Sequence, residues 1–317
     1  MDTASPAGPR RAVVDIGTNS VKLLVVELGP EGPMPILEQS RQTRLGEGFY
    51  AAHRLQPGPI ALTATAVAEF AALARTHGAP GIRVIATSAA RDARNQEELL
   101  QAITLASGLK VEIISGDQEA EWAFQGVTSS PLLAGQRLLI LDLGGGSAEF
   151  ILGEHGHRQF SRSYQLGCVR LLERLAPPDA PTPADLAQCR DYVYQFLATH
   201  VSADLRSLWS SQATAPLLVG TGGTVTILGR LENRMTDFDR TRLETTELTV
   251  DSVRNWVDRL WSLPLMDRRR LTGLPANRAD VILMGSVVYE QVMETFHLPA
   301  LRLSTRGLRF AAAMAGV

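Results

Sequence analysis

The chain has few cysteines, no excess of basic residues and no long uninterrupted apolar run. Cys168 and Cys189 are its only cysteines among 317 residues, and their spacing matches no zinc-binding pattern. A disulfide framework is therefore unsupported. The formal net charge of −2 argues against a general binder of nucleic acid or membranes. Since no apolar run reaches the roughly 18 residues that a membrane span needs, we expect a cytoplasmic, reduced protein.

The length of the chain favours two domains. A chain of 317 residues exceeds what one hydrophobic core usually supports, and about 150 residues per domain is typical. Three strand-like runs followed by alternating helices and strands occur twice, which predicts an α/β architecture with mixed sheets. The chain ends in a strand and a helix that can fold back onto the first domain. We therefore predict domain I over 1–126 plus 305–317 and domain II over 127–304.

Two segments of the chain are nearly repeated at a spacing of 127 residues. Residues 15–25 read DIGTNSVKLLV, and residues 142–152 read DLGGGSAEFIL. A turn that exposes backbone N–H groups beside a carboxylate suits a phosphate with a divalent cation. The eighth position of the repeat is Lys22 in the first copy and Glu149 in the second. This difference predicts that the turn beside Lys22 holds an anion and the turn beside Glu149 holds a metal ion.

The second copy contains a candidate metal site. Asp142 and Glu149 flank the glycine run 144–146 between two predicted strands, so both carboxylates can face one ligand. Mg²⁺ takes one or two carboxylates together with phosphate oxygens, and Mn²⁺ is the alternative ion. The structural alternatives are that Glu149 faces solvent and that the glycines serve a tight turn needing positive φ.

Three further segments carry candidate ligands, each with a structural alternative. The glycine-rich segment 219–224 lies between a strand and a helix, where an anion can bind at the helix N-terminus. Arg91 follows a strand and can pair with phosphate through its planar fork, or it can pair with Asp92 on the surface. Glu119 and Glu121 lie in the first turns of a predicted helix. A carboxylate there either interacts favourably with the helix dipole or acts as a general base.

The segments occur in a characteristic order and spacing. They are DIGTNSVKLLV at 15–25, TRLGEG at 43–48, ATSAARDARN at 86–95, ISGDQEAEWAFQGV at 114–127, DLGGGSAEF at 142–150, LGCVRL at 166–171, GTGGT at 220–224, GLPANRADVI at 273–282 and LSTRGLR at 303–309. Together they resemble the exopolyphosphatase and guanosine pentaphosphate phosphohydrolase (Ppx/GppA) family of the actin-like phosphotransferase superfamily. Many members continue into a further helical region, so the resemblance is to a short two-domain form.

The resemblance implies two ribonuclease-H-like (actin-like ATPase) domains with an interdomain cleft, and it assigns roles to residues. Glu119 matches the glutamate regarded as the water-activating base, and Arg91 matches the arginine that grips the phosphate under attack. Asp142 and Glu149 match the acidic pair associated with the metal. The phosphate-binding positions are Asp15, Thr18, Asn19, Ser20, Lys22, Gly144, Gly145, Gly146, Ser147, Thr221, Gly222, Gly223 and Thr224.

The implied reaction is release of terminal orthophosphate from inorganic polyphosphate by attack of water. The alternative substrate is pppGpp, which would be hydrolysed to ppGpp. Two other classes are an actin-like kinase of a small metabolite and a non-catalytic sensor of polyphosphate or alarmone. The expected partners are therefore polyphosphate and pppGpp or ppGpp, with no nucleic acid and no membrane. A long predicted helix near 278–296 belongs to the core or to a homodimer contact.

Overall fold

A computed structural model describes residues 8–30, 32–209 and 215–315. The chain forms two compact units. Unit 1 comprises Met1–Pro131 and Arg306–Val317, and unit 2 comprises Leu132–Thr305. These boundaries differ by a few residues from those predicted, since position 126 lies inside a helix that continues to Thr128.

Unit 1 is a five-stranded mixed sheet with helices on both faces. Its strands are β1 (Arg10–Ile16), β2 (Ser20–Gly29), β3 (Gly32–Gln42), β4 (Gly81–Ala86) and β5 (Val111–Ile113). Its helices before the chain leaves the unit are α1 (Pro57–Thr76), α2 (Ser88–Arg91), α3 (Gln96–Ser107) and α4 (Gly116–Thr128). The strand order is β3-β2-β1-β4-β5, with β1, β4 and β5 parallel and β2 antiparallel to both of its neighbours.

Unit 2 repeats this topology and adds one edge strand. Its strands are β6 (Leu138–Leu143), β7 (Ala148–Glu154), β8 (His157–Tyr164), β9 (Leu217–Thr221), β10 (Glu247–Thr249) and β11 (Ala300–Leu303). The order β8-β7-β6-β9-β11 corresponds to β3-β2-β1-β4-β5, and β10 pairs antiparallel with β11 at the edge. The predicted duplication of a three-stranded meander followed by parallel strands is confirmed.

The helices of unit 2 include one that lies in its core. They are α5 (Cys168–Leu175), α6 (Pro183–Phe196), α7 (Ser202–Trp209), α8 (Gly223–Glu232), α9 (Arg240–Glu244), α10 (Val250–Trp261), α11 (Leu265–Arg268) and α12 (Ile282–Thr295), with a π-helical turn at Leu197–Val201 and a 3₁₀ turn at Ala276–Arg278. Twelve of the fourteen residues of α12 are buried. Of the two predicted roles for this helix, the structure therefore supports the core role.

After β11 the chain returns to unit 1 as α13 (Leu308–Met314). Alternate residues of β1 point to opposite faces of the sheet and are apolar, so both faces must be covered. Val14 faces a core that contains Val67 of α1, whereas Val13 faces a core that contains Trp122 of α4 and Phe310 of α13. Strands buried on both faces read as continuous apolar runs, which is the pattern of β1.

Helix α1 is long and apolar enough to span a membrane by length and composition alone. The expectation that no segment meets that criterion was too strict, because it considered only uninterrupted apolar runs. In the structure Ile60, Val67 and Phe70 of this helix lie in the core of unit 1. An amphipathic helix that covers a sheet accounts for this composition.

Candidate active site

In unit 1, the turn between β1 and β2 has two carbonyl groups bonded to a later segment. Thr18 O accepts a hydrogen bond from Gly46 N at 2.8 Å. Asn19 O accepts from the backbone N–H groups of residues 43 and 44, at 3.2 and 3.1 Å. The C=O and N–H groups of a trans peptide point in opposite directions. The N–H groups of Asn19 and Ser20 are therefore directed away from that segment.

The segment lies close to the turn because Gly46 lacks a side chain. A Cβ at this position would lie 2.3 Å from Thr18 Cγ2. Asn19 Oδ1 also accepts a hydrogen bond from Gln42 Nε2 at 3.1 Å. Thr18, Asn19 and Ser20 are all buried. The predicted phosphate-binding side chains of this turn are thus buried, and that of Asn19 is held by Gln42.

Asp15 and Lys22 are direct partners across the β1–β2 pair. Directly opposed residues place their side chains on the same face of a sheet. Asp15 is buried, and burial raises the pKa of its carboxyl above the ordinary value of 3.8, while the charges of Lys22 and Arg309 oppose the rise. Arg309 belongs to α13 and donates to Leu23 O at 3.1 Å. The first copy of the repeat therefore pairs its aspartate with cations.

Arg91 and Glu119 meet at the carboxyl edge of the same sheet. Arg91 Nη1 donates to Glu119 Oε2 at 3.1 Å and to Ile114 O at 3.0 Å. Arg91 ends α2, which follows β4, and Glu119 lies in the first turn of α4, which follows β5. Because β1, β4 and β5 are parallel, both residues lie at the edge that carries the β1–β2 turn.

The two glutamates of α4 differ in their surroundings. Glu119 is only 6% exposed and is held by Arg91. Glu121 is half-buried and accepts a hydrogen bond from Gln125 Nε2 on the same helix at 2.6 Å. The helix begins with Ser115 as its N-cap, whose Oγ accepts a hydrogen bond from the backbone N–H of Gln118, the third residue of the helix. This cap fixes the first turn, so Glu119 has a defined position at the sheet edge.

In unit 2, the β6–β7 turn repeats the geometry of the first. Gly144 N donates to Ser147 O at 3.0 Å, as Gly17 N donates to Ser20 O at 3.0 Å. None of the three glycines at 144–146 has a positive φ. The structural alternative of a tight turn that requires positive φ is therefore wrong for this run. The glycines leave room for close approach by neighbouring groups.

The carbonyl groups of this turn are held by the start of α5. Gly144 O accepts from Cys168 N at 3.1 Å, and Gly145 O accepts from Val169 N at 2.8 Å. Gly146 O accepts from Arg170 Nε at 2.9 Å. The N–H groups of the following residues, up to Ser147, are consequently directed away from α5, as an anion cradle requires.

A row of polar side chains crosses the sheet of unit 2. Thr221, Asp142, Glu149 and Ser163 are successive cross-strand partners on β9, β6, β7 and β8. Ser163 Oγ donates to Glu149 Oε1 at 2.7 Å. Glu149 is 1% exposed, so the alternative that it faces solvent is wrong. A cation bound beside two opposed carboxylates would offset the repulsion between them.

The glycine-rich segment after β9 lies against Asp142. Gly222 has φ +96°, and a Cβ there would lie 3.1 Å from Asp142 Oδ1. It caps α8, whose Thr226 Oγ1 donates back to Gly222 O at 2.8 Å. Gly223 and Thr224 form the first turn of the helix. The segment therefore brings a helix N-terminus beside the acidic row.

The donor set of Asp142 and Glu149 fits a hard divalent cation. Across residues 8–30, 32–209 and 215–315, no group of three or more His, Cys, Asp or Glu side chains is placed to hold a metal ion. A protein site with two carboxylates is nevertheless the usual arrangement for Mg²⁺, which keeps water and phosphate oxygens as its other ligands. The residues present are therefore compatible with Mg²⁺ and do not resemble a structural zinc centre.

The structure thus groups the predicted residues by unit. In unit 1, Arg91 contacts Glu119 and Asp15 opposes Lys22, whereas Glu121 is turned toward Gln125. Sequence reasoning missed Arg170, which holds a carbonyl of the second turn. The segment at 166–171 contains Arg170, but no local pattern in it marks this residue as a partner of the turn.

Two α/β units of one topology, each with a turn of the same geometry after its first strand, define an actin-like phosphotransferase fold. The model of the Ppx/GppA phosphatase family matches residues 24–311. Exopolyphosphatase 2 of Mycobacterium tuberculosis is 34% identical over 295 residues, which cover 89% of this chain and 89% of that protein. The chain belongs to the Ppx/GppA phosphatase family.

Two further comparisons agree with this assignment. A solved structure of the Aquifex aeolicus PPX-GPPA enzyme has a TM-score of 0.77 and 29% identity, and the match covers 97% of this chain and 99% of that one. The guanosine-5'-triphosphate,3'-diphosphate pyrophosphatase of Aeromonas salmonicida is 27% identical, over 95% of this chain and 58% of its own length. The predictions of an actin-like α/β fold and of an enzyme, a phosphoanhydride hydrolase, are confirmed.

Proposed function

We propose that the chain is an exopolyphosphatase that releases terminal orthophosphate from inorganic polyphosphate. The observation that carries the proposal is the hydrogen bond of 3.1 Å from the half-buried Arg91 to the buried Glu119, at the carboxyl edge of the unit 1 sheet. It is supported by membership of a phosphatase family and by a relative named exopolyphosphatase. A carboxylate held beside a guanidinium provides a proton acceptor and an anion ligand together.

Glu119 serves as the general base and Arg91 as the ligand of the phosphoryl group under attack. Both hydrogen bonds that Arg91 makes to Glu119 and Ile114 use Nη1, and the guanidinium has further N–H donors for phosphate oxygens. A phosphoryl group that draws Arg91 toward itself leaves Glu119 to accept the proton of the attacking water. The oxygen of that water then forms the new P–O bond as the bond to the shorter chain breaks.

We propose that each of the two turns supplies N–H donors for phosphate. In unit 1 these come from Asn19 and Ser20, assisted by Thr18 and Lys22, beside Asp15. In unit 2 they come from the turn at 144–147 and from the α8 N-terminus at Thr221–Thr224. Backbone N–H groups with fixed partners on the carbonyl side lose little entropy when they bind phosphate.

Asp142 and Glu149 are proposed to hold Mg²⁺, with Mn²⁺ as the alternative. When bound, such an ion stabilises negative charge on the phosphoryl oxygens. Asp142 Oδ1 lies beside Gly222, where a Cβ would come within 3.1 Å of it, and Glu149 accepts a hydrogen bond from Ser163 that orients its carboxylate before any ligand arrives.

The second candidate substrate is pppGpp. The specific observation in its favour is the Aeromonas salmonicida relative, which is named for that class of substrate. The two activities share a terminal phosphoanhydride, so the same roles of Glu119 and Arg91 apply. Polyphosphate ranks first because the relatives with higher identity are named exopolyphosphatases.

The proposal extends to a cytoplasmic enzyme with no nucleic-acid or membrane partner. Cys168 and Cys189 are both free and buried, which suits a reducing compartment. The net charge of −2 supplies no general attraction for nucleic acid or anionic lipid. A homodimer is retained as a prediction for solution measurements.

Phosphate release from a series of defined polyphosphate chain lengths, run beside pppGpp, tests the proposal. We expect turnover of polyphosphate that requires Mg²⁺ and exceeds turnover of pppGpp. Near-zero turnover of polyphosphate beside rapid turnover of pppGpp would reverse the ranking. ATP-dependent labelling of a small metabolite, without release from polyphosphate, would replace hydrolysis with kinase activity.

A further inference from the structure

We infer that Arg170 is a positioning residue for the phosphate-binding turn of unit 2, an inference that rests on the proposed function. Arg170 belongs to the first turn of α5 and makes two contacts with the turn. Its backbone N donates to Gly145 O at 3.2 Å, and its side-chain Nε donates to Gly146 O at 2.9 Å. Its Nη1 also donates to Gln165 Oε1 at 3.3 Å, which fixes the guanidinium plane.

The contact with Gly146 O decides the direction of one peptide unit. If this carbonyl turned toward a bound anion, its partial negative charge would repel the anion. Held by Arg170, the carbonyl points to α5, and the N–H of Ser147 in the same peptide unit points the opposite way. Backbone N–H groups of α5 already hold the carbonyls of Gly144 and Gly145. The guanidinium therefore completes the orientation of the turn.

The first copy of the repeat achieves the same orientation with different chemistry. Asn19 O is the positional counterpart of Gly146 O, and it accepts from the backbone N–H groups of residues 43 and 44. Two neutral backbone donors in unit 1 are thus replaced by one charged side chain in unit 2. A charged donor polarises the peptide to which it bonds and strengthens the N–H at its other end. The Ser147 N–H should therefore bind phosphate more strongly than its counterpart at Ser20.

Close packing leaves α5 no freedom to replace this contact. A Cβ on Gly167, the residue before α5, would lie 2.3 Å from Gly145 O. The helix therefore already touches the turn, and loss of the Arg170 side chain cannot be offset by closer approach. Since the turn binds ground state and transition state alike, its disorder should weaken binding more than it slows the chemical step.

Arg170→Met tests the inference, with Arg174→Met as the matched control. Arg174 lies one turn later on α5, and its exposed guanidinium stacks over Tyr192 at 4.9 Å from the ring centroid. Binding of tripolyphosphate is measured by calorimetry in a Glu119→Gln background, and KM and kcat for polyphosphate in the background with Glu119 intact. We expect about tenfold weaker binding and a similar rise in KM for Arg170→Met, with kcat within about threefold.

Arg170→Lys provides the rescue, because its ammonium can still donate a charged hydrogen bond to Gly146 O. We expect it to recover part of the lost affinity, and it replaces the Met variant if that variant does not fold. Unchanged tripolyphosphate affinity in folded Arg170→Met overturns the inference alone, as does an equal loss in Arg174→Met. If the wild type binds tripolyphosphate but hydrolyses no polyphosphate, the proposed function is wrong. The affinities of the Arg170 and Arg174 variants then still decide whether Arg170 positions the turn. No binding by the wild type overturns both.

Discussion

Glu149 occupies on β7 the position that Lys22 occupies on β2, and each lies directly opposite an aspartate. The pairs are Asp142 with Glu149 and Asp15 with Lys22, in the same register of the same strand pair. One fold element, used twice, thus carries a doubly acidic pair in unit 2 and a mixed pair in unit 1. Two opposed carboxylates attract a cation, whereas a carboxylate facing a lysine is already balanced.

The serine that contacts Glu149 should tune metal affinity. Ser163 Oγ donates to Glu149 Oε1 at 2.7 Å, and loss of such a partner usually weakens metal binding by about tenfold or more. We expect Ser163→Ala to raise the Mg²⁺ concentration for half-maximal phosphate release by about tenfold.

Ser40→Ala is the matched control for this prediction. Ser40 lies opposite Lys22 on β3, which is the position that Ser163 holds opposite Glu149. A metal titration that moves equally in both variants would show that Ser163 has no special relation to the metal site.

Glu119 and Glu121 should differ sharply when each is replaced by glutamine. The variant Glu119→Gln keeps the size of the side chain and its contact with Arg91 but cannot accept the proton of water. We expect phosphate release to fall by about 100-fold or more with substrate binding preserved.

Glu121→Gln should retain activity near the wild-type level, because Glu121 faces Gln125 rather than Arg91. Single-turnover release and tripolyphosphate binding, measured on both variants, separate the two glutamates. Comparable losses of activity in the two variants, or a loss confined to Glu121→Gln, would show that Glu119 is not the general base.

Much of this arrangement could be predicted from local sequence. The repeat at 15–25 and 142–152 predicted two equivalent strand–turn–strand elements, and burial of β1 and β2 on both faces follows from their apolar runs. Because Asp142 and Glu149 flank a short turn between two predicted strands, the sequence alone predicts that they lie on the same face of the sheet. Such features depend on residues close together in the chain.

What could not be predicted depends on contacts between distant segments. The burial of Glu149 requires β8 beside β7, and the orientation of the 144–147 turn requires α5. Arg170 has no local pattern that marks it, because its partner carbonyl lies 24 positions earlier in the chain. The short elements β10, α9 and α11 also depend on neighbours, since segments of three to five residues have little structure of their own.

The two glycines at the start of α8 should respond differently to alanine. Gly222 has φ +96° and ψ −170°, a backbone region almost confined to glycine, and a Cβ would lie 3.1 Å from Asp142 Oδ1. We expect Gly222→Ala to lower the free energy of unfolding by about 2 kcal/mol. A Cβ on Gly223 would meet nothing within 4 Å, and alanine is favourable in a helix. Urea unfolding should therefore show no loss for Gly223→Ala, and equal destabilisation would contradict the assigned strain.

The stability of unit 1 should depend on the protonation of Asp15. Burial raises the pKa of this carboxyl above 3.8, although Lys22 and Arg309 oppose the rise. The folded state then binds the proton more tightly than the unfolded chain does. The contribution of this group to the free energy of unfolding is fully present below pH 3.8 and is lost as pH rises through the folded-state pKa.

Asp15→Asn removes this titration. The free energy of unfolding of the variant, relative to wild type, should therefore increase as the pH is raised from about 4 to about 7. Urea unfolding of both proteins across that range measures the difference, and the acidic end provides the internal reference because the raised pKa of Asp15 favours the protonated carboxyl there. A difference that stays constant with pH, or that moves in favour of the wild type, would show that Lys22 and Arg309 outweigh burial at this position.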